Sequence, residues 1–172
     1  MSKNHGCRSC GDCHACCVVL PIIELEKPRN IHCQHCTDRG CAIYDNGRPA
    51  VCKSWLCEWR NGNLPEWWHP TKSHMMFSVD PDADLDMDTG RITQNLDHKI
   101  LRIYPLTATA MAENEHRLAG AIQRITQRYK GEIREVLWVP YDFKGWGRLG
   151  EFYKTVPDDK GRMWETVESV AV

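Results

Sequence analysis

All ten cysteines of this 172-residue chain lie between residues 7 and 57, and the rest of the chain contains none. A disulfide framework in a small secreted domain spreads its bridges through the whole domain. Free cysteines that act as small apolar residues scatter through a core. The observed distribution fits neither pattern. It predicts a compact thiol cluster attached to a cysteine-free body that is long enough to form its own core.

The amino terminus has no apolar run of the kind that a signal peptide needs. The longest apolar stretch near it, residues 16–23, contains Pro21 and is too short to cross a bilayer. We therefore expect a cytoplasmic protein without a membrane partner, whose reduced thiols bind metal or carry out redox chemistry. The formal net charge of −1 gives no electrostatic reason to expect a nucleic acid partner, whereas a protein partner stays open.

Two regions differ in their sequence pattern. Residues 1–60 show little helical or strand periodicity and are punctuated by glycine and proline, which predicts an irregular metal-binding lobe ordered by metal–thiolate bonds. Residues 61–172 predict an α+β body with a C-terminal tail. We expect the lobe to pack on a small mixed sheet with one main helix, so that the chain forms one compact unit.

The body contains one strong helical pattern between strand patterns. Residues 107–129 predict a helix, because Leu118, Ile122 and Ile125 fall on the same face as Met111. Strands are predicted at 74–79, 99–104 and 132–139, with a hairpin over 85–96. The order strand, helix, strand indicates a crossover unit. The tail after residue 140 gives no assignable pattern.

The cysteines form three groups, two of which contain Cys-x2-Cys pairs. Such a pair directs two sulfurs to one centre because its backbone folds into a tight turn, and several pairs within fifty residues are a strong metal signal. The candidate metal ligands are Cys7, Cys10, Cys13, Cys16, Cys17, Cys33, Cys36, Cys41, Cys52 and Cys57. Catalytic and organic-cofactor residues stay unknown, since the chain contains no Gly-rich phosphate loop, catalytic triad motif or HExxH.

The identity of the metal stays open between zinc and iron, including an iron–sulfur cluster. Zinc takes four thiolate or imidazole ligands, so ten cysteines could supply two sites. The cysteines at positions 7, 10, 13 and 17 have the spacing of bacterial ferredoxins, although Val18 replaces the proline that follows and no second copy is present. Adjacent Cys16 and Cys17 suggest two centres or bridged metals. Histidines 5, 14, 32 and 35 are weaker candidates, because sulfurs are plentiful.

Three segments resemble the zinc- or iron-chelating cysteine-cluster family of the YkgJ type. Residues 10–17 read CGDCHACC and match its CxxCxxCC motif, residues 41–45 resemble its C-x-I-Y segment, and residues 48–57 resemble its R-P-x-x-C segment. The resemblance covers about residues 7–60 and implies a metal-chelating module. It implicates Cys10, Cys13, Cys16, Cys17, Cys41, Cys52, Cys57 and one of Cys33 and Cys36, which leaves Cys7 and the other member of that pair as additions.

Residues beside the motif also have physical interpretations. Ile43 and Tyr44 are expected to pack over the site and exclude water, Arg48 to donate hydrogen bonds to thiolates, and Pro49 to fix the chain that enters Cys52. The alternating aspartates from Asp80 onward do not fit a calcium loop and predict the solvated face of a hairpin.

Three functional hypotheses follow. The leading one is a metalloprotein in which zinc or iron has a structural or regulatory role. The second is an iron–sulfur or iron-dependent oxidoreductase or modifying enzyme, because the family's flagellin lysine methylase relatives show that the module can accompany protein modification. The third is a zinc-ribbon-like adaptor for protein or nucleic acid.

Overall fold

The computed structural model of the protein describes residues 8, 10–38, 40–85, 92–139, 141, 153–157 and 163–167. For the strand residues 82–85, 92–97, 153–157 and 163–167 it describes the backbone alone. Two of the predicted candidates, Cys7 and His5, lie outside the described residues.

A five-stranded mixed sheet forms the body. Its strands are β3 (Met75–Leu85), β4 (Ile92–Pro105), β5 (Ile133–Trp138), β6 (Tyr153–Pro157) and β7 (Met163–Val167), and they lie side by side in that order. The β4–β5 pair is parallel and the other three pairs are antiparallel. With one main helix beside this sheet, the fold is α+β, as the sequence predicts.

The main helix, α4 (Ala110–Arg128), connects the parallel neighbours β4 and β5 and confirms the predicted crossover. Its Leu118, Ile122 and Ile125 are buried, as their spacing indicates. The chain leaves the helix near Gly131, whose φ of 85° lies in the left-handed region that glycine adopts without strain. No helix among the described residues is long and apolar enough to span a membrane.

The two faces of the sheet are covered by different parts of the chain, because successive strand residues point to opposite sides. On one face, Phe77, Leu101 and Ile103 share a core cluster with the buried residues of α4. On the other face, Met76, Ile100 and Tyr104 form a second cluster with Ala15 and Val19. The N-terminal lobe therefore packs on the face of the sheet opposite α4.

Short elements occur in residues 1–60, which the sequence predicts as an irregular lobe. They are α1 (Ala15–Val19), the two-residue strands β1 (Cys36–Thr37) and β2 (Gly40–Cys41) and α2 (Ala50–Ser54), together with a 3₁₀ turn at Ile23–Leu25. A further 3₁₀ turn at Glu66–Trp68 and the short helix α3 (Pro70–Ser73) lead from the lobe into β3. The lobe packs on the sheet as expected. The boundary at residue 60 and the ordering of the lobe by metal stay predictions.

Candidate metal centre

A cavity of about 280 Å³ lies in the N-terminal lobe, bordered by Met76 from the sheet. Cysteines from all three sequence groups line it. They are Cys10, Cys13, Cys16, Cys17, Cys33, Cys41, Cys52 and Cys57. The structure therefore brings eight predicted ligands to one cavity. The nine described cysteines are all free thiols, so their proximity comes from the fold and not from disulfide bonds.

The first Cys-x2-Cys pair forms a tight turn followed by a helix. The N–H of Cys13 donates a hydrogen bond to the carbonyl of Cys10 at 3.0 Å. Gly11 within this turn has a φ of 54°, a left-handed conformation that strains other residues. The helix α1 then carries Cys16 and Cys17 to the cavity wall.

The second group is held by the small hairpin. The N–H of Cys36 donates to the carbonyl of Cys33 at 2.9 Å, which repeats the turn seen in the first group. Cys36 and Cys41 face each other across β1 and β2. A hydrogen bond of 3.0 Å from the N–H of Cys33 to the carbonyl of Cys17 attaches this group to α1.

The third group comes from α2 and the segment after it. Cys52 lies in α2, and Cys57 packs partly buried against both core clusters of the sheet. Arg48 donates from Nη2 to the backbone carbonyl of Cys52, and its guanidinium lies 4.3 Å from the ring centroid of Tyr44. The arginine thus holds the Cys52 backbone in place, whereas its position in the sequence predicts hydrogen bonds to thiolates.

The roles expected for Ile43, Tyr44 and Pro49 agree with the structure only in part. Ile43 borders the cavity, as expected for a residue that excludes water. Tyr44 also borders the cavity, but 53% of its surface is exposed, so it covers the site less completely than expected. Pro49 is buried immediately before α2, where its restricted backbone suits a helix start.

Burial and crowding set the acidity of the thiols. Burial raises the pKa of Cys13 to about 12 and that of Cys57 to about 11. The hydrogen bond from the Cys17 thiol lowers the pKa of Cys16 to about 7, and the same bond raises the pKa of Cys17. The charges of neighbouring cysteines raise the pKa of Cys13 and Cys57 further, because thiolates that lie close together repel one another. Binding a metal cation relieves that repulsion, which is why metal binding to thiols releases protons.

A buried lysine lies beside the cluster. Lys27 is 4% exposed, and its Nζ donates to the carbonyls of Val18 and Pro28 at 2.8 and 3.1 Å and to that of Leu20. Burial lowers the pKa of Lys27, whereas the negative charges of nearby cysteines, Cys33 first, raise it. A buried ammonium that bonds only to carbonyls is costly unless negative charge lies close by.

Histidine 14 is the one cluster histidine that contacts a cysteine sulfur in the described part of the chain. Its Nδ1 lies 3.0 Å from the Sγ of Cys36, and its ring borders the cavity. Of the other candidates, His35 contacts the Gln34 side chain at 3.4 Å and His32 is exposed. His14 lies inside the CxxCxxCC segment, and this position indicates that it is close to the cysteines. The spacing of the histidines alone did not distinguish it from His32 and His35.

The donor set suits zinc and iron, because both metals accept several thiolates in one site. In the described ranges, however, no group of three or more His, Cys, Asp or Glu side chains is arranged so that it could hold a metal ion. The cysteines therefore share a cavity without forming a coordination shell. Residues and chemistry fit a thiolate-bound metal, and the coordination itself belongs to the proposal below.

Comparisons with known proteins add no assignment. No family model, no curated protein and no solved structure matches this chain. The site must therefore be interpreted from its own residues.

Proposed function

We propose that the N-terminal lobe is a metal-chelating module in which thiolates around the cavity bind zinc or iron. The observation that carries the proposal is the convergence of eight cysteines, drawn from three separate segments, on one cavity. Cysteines that served only as small apolar residues would scatter through the core and would not concentrate around one cavity. The motif resemblance to the YkgJ-type family supports the same conclusion.

A structural or regulatory role for the metal is favoured over catalysis. The elements that carry the cysteines are two to five residues long, and short isolated helices and hairpins are unstable in water. Metal–thiolate bonds supply the stabilisation that such elements lack, as they do in small zinc domains. Reduced thiols also fit the proposed cytoplasmic location.

Anaerobic purification with elemental analysis and a visible spectrum tests the proposal. A brown protein with iron and acid-labile sulfide identifies an iron–sulfur module, and a colourless protein with stoichiometric zinc identifies a zinc module. Cys16→Ser is expected to lose metal and stability, whereas Ser54→Ala, on the exposed surface of α2, is expected to keep both. If neither metal co-purifies and Cys16→Ser has wild-type stability, the proposal is wrong.

A further inference from the structure

Cys36 and Cys41 are the two cysteines of the small hairpin formed by β1 and β2, and they lie directly opposite each other. The N–H of Ala42 donates to the carbonyl of His35 at 2.8 Å, immediately beside this pair. In an antiparallel ladder, hydrogen-bonded pairs alternate with non-hydrogen-bonded pairs. A bond between the two residues that flank the cysteines therefore makes the cysteines a non-hydrogen-bonded pair.

The backbone of such a pair places two side chains at the separation that a disulfide requires. Directly opposed residues point to the same face of a hairpin, and in a non-hydrogen-bonded pair their Cα atoms lie about 4.5 Å apart. Disulfides join cysteines whose Cα atoms are about 4.4–6.8 Å apart. A bond between Cys36 and Cys41 therefore needs rotation of the two side chains and little movement of the backbone.

The turn of the hairpin fixes the register that opposes the two cysteines. Two residues separate β1 from β2, and a connection this short determines how the strands pair. The Oγ1 of Thr37 donates to the carbonyl of Gly40 at 2.8 Å and holds the strand ends together. Gly40 has a φ of 111°, which glycine adopts without strain because it has no β-carbon. The opposition of the cysteines is thus a property of the backbone.

The two thiols have different surroundings in the reduced protein. Cys41 borders the cavity, whereas Cys36 is the described cysteine that does not border it. The Sγ of Cys36 lies 3.0 Å from Nδ1 of His14, and its thiol shares a hydrogen bond with that of Cys17. Both hairpin cysteines are partly exposed, so a small thiol reagent has access to them. The hairpin therefore opposes one thiol of the proposed metal site with one that lies outside it.

Cys17 is the alternative partner for Cys36, because the two thiols are hydrogen-bonded. Cys17 lies in α1, however, and eighteen residues separate it from Cys36, whereas four separate Cys36 from Cys41. The entropy lost in closing a loop grows with its length, and the ladder already holds the nearer pair together. The geometry thus favours Cys41 as the partner.

We propose that Cys36 and Cys41 form a redox-active dithiol, which small-molecule disulfides such as glutathione disulfide oxidise to a cross-strand disulfide. Its consequence rests on the proposed metal-binding function: an oxidised Cys41 no longer supplies a thiolate to the cavity, so oxidation weakens metal binding. Disulfides of cytoplasmic proteins are commonly transient and redox-sensing, which fits the proposed location.

The oxidation consists of two thiol–disulfide exchanges. The Cys36 thiolate attacks one sulfur of glutathione disulfide, which breaks the S–S bond, forms a mixed disulfide and releases one glutathione. The Cys41 thiolate then attacks the Cys36 sulfur, forms the protein disulfide and releases the second glutathione. The two protons of the cysteine thiols are transferred to the two glutathione thiolates. The protein loses two electrons, and glutathione disulfide gains them.

Mass spectrometry of the full chain, equilibrated in glutathione buffers of rising oxidised fraction and then alkylated, tests the pairing. The first disulfide is expected to join Cys36 and Cys41, so that the protein carries two fewer alkyl groups than the ten of the reduced chain. Cys10→Ser, which leaves the hairpin intact, is the matched control and is expected to form the same disulfide. A first disulfide between Cys36 and Cys17, or the absence of a preferred pair, overturns the inference.

Release of Zn²⁺ in the same buffers tests the consequence for the metal site. The wild type is expected to release zinc as the disulfide forms and to bind it again after reduction with dithiothreitol. Cys36→Ser is expected to retain zinc at the oxidised fraction that strips the wild type, because this residue does not border the cavity. Circular dichroism checks that the variant is folded.

The possible failures can be told apart. Equal zinc release from the wild type and Cys36→Ser, or a disulfide that forms without zinc release, overturns the regulation of the metal site by this pair. A reduced wild type that binds no Zn²⁺ overturns the proposed function. The mapped disulfide decides the pairing in either case, because that measurement needs neither metal nor variant.

Discussion

The indole nitrogen of Trp55 donates a hydrogen bond to Oδ1 of Asp80 at 3.1 Å and so ties the cysteine lobe to the sheet. Trp55 lies between Cys52 and Cys57, and Asp80 lies on β3. The other carboxylate oxygen of Asp80 accepts from Ser78 at 2.6 Å and from Arg102 at 2.8 Å. The Asp80 carboxylate thus connects the lobe with β3 and β4. Its hydrogen bonds fix the relative orientation of these elements, because hydrogen bonds are directional and apolar packing is not.

Trp55→Phe is expected to lower the free energy of unfolding by about 1 kcal/mol, the usual net value of a hydrogen bond. The variant removes the indole N–H and leaves Asp80 with its partners on the sheet. Urea denaturation measures the change. Trp67→Phe is the control, because Trp67 is 46% exposed. Equal stability of the two variants would show that the bond to Asp80 contributes nothing.

Asp80→Ala is expected to cost more, about 3 kcal/mol, because it leaves a buried charge without its partner. The side chain of Arg102 is 8% exposed and that of Asp80 is 24% exposed. Lys72→Ala removes a partner from the exposed Lys72–Glu66 pair and is expected to have a much smaller effect, since water screens surface pairs. Thermal unfolding compares the two variants, and similar losses would contradict the special role of the Asp80–Arg102 pair.

The sequence predicted the elements whose side-chain pattern is local. The helix predicted over 107–129 occurs as Ala110–Arg128, since one apolar stripe suffices to identify it. The predicted strand over 132–139 occurs as Ile133–Trp138. The predictions over 74–79, 85–96 and 99–104 were too fragmented. The structure joins them into the long strands Met75–Leu85 and Ile92–Pro105, whose pairing continues through a register shift after Pro81.

The long-range contacts of the site could not be predicted in the same way. The cysteine list came from spacing, but the contact of His14 with Cys36 and the carbonyl bonds of Lys27 depend on how distant segments meet. Asp80 was expected on a solvated hairpin face, yet it binds Trp55 and Arg102. The sequence also gave no signal for Tyr153–Pro157 and Met163–Val167, which extend the sheet as edge-side strands. In these two segments the alternation of apolar and polar residues and the turn signals are too weak to predict strands.

Tyr129→Phe is expected to lower the free energy of unfolding by about 2 kcal/mol, the range for a hydrogen bond to a charged group. The hydroxyl of Tyr129 donates to Oε1 of Glu58 at 2.9 Å, and Glu58 is fully buried. The variant keeps the ring beside Lys99, so only the hydroxyl is tested. Tyr141→Phe, at a residue that is 47% exposed, is the control in denaturant unfolding. Indistinguishable midpoints would show that Glu58 does not need this donor.

Lys27→Met is expected to weaken zinc binding by about 10-fold, as changes beside metal ligands commonly do. The variant keeps an apolar stem in the buried position but removes the positive charge close to Cys33 and the bonds to the carbonyls of Val18 and Leu20 at the end of α1. Competition with a chromophoric chelator measures the affinity. Lys53→Met, on the exposed face of α2 beside Cys52, is the control and is expected to bind zinc normally. Wild-type zinc affinity in the Lys27→Met variant would show that Lys27 only hydrogen-bonds backbone carbonyls and does not stabilise the bound thiolates.

Removal of the proposed metal by a chelator under anaerobic conditions is expected to unfold the lobe and leave the body folded. The cluster between α4 and the sheet includes Leu101, Ile122 and Val136, and from residues 1–60 it takes Trp59 and the partly buried Cys57 but no residue of α1 or α2. The lobe contributes few buried apolar side chains, and structural zinc supplies on the order of 10 kcal/mol to the domains that it holds together. Hydrogen exchange measures the outcome: the amides of α1 and α2 lose protection, whereas those of α4 and β4 keep it. Uniform protection in the chelated protein would show that packing on the sheet, with no help from metal, is enough to order the cysteines.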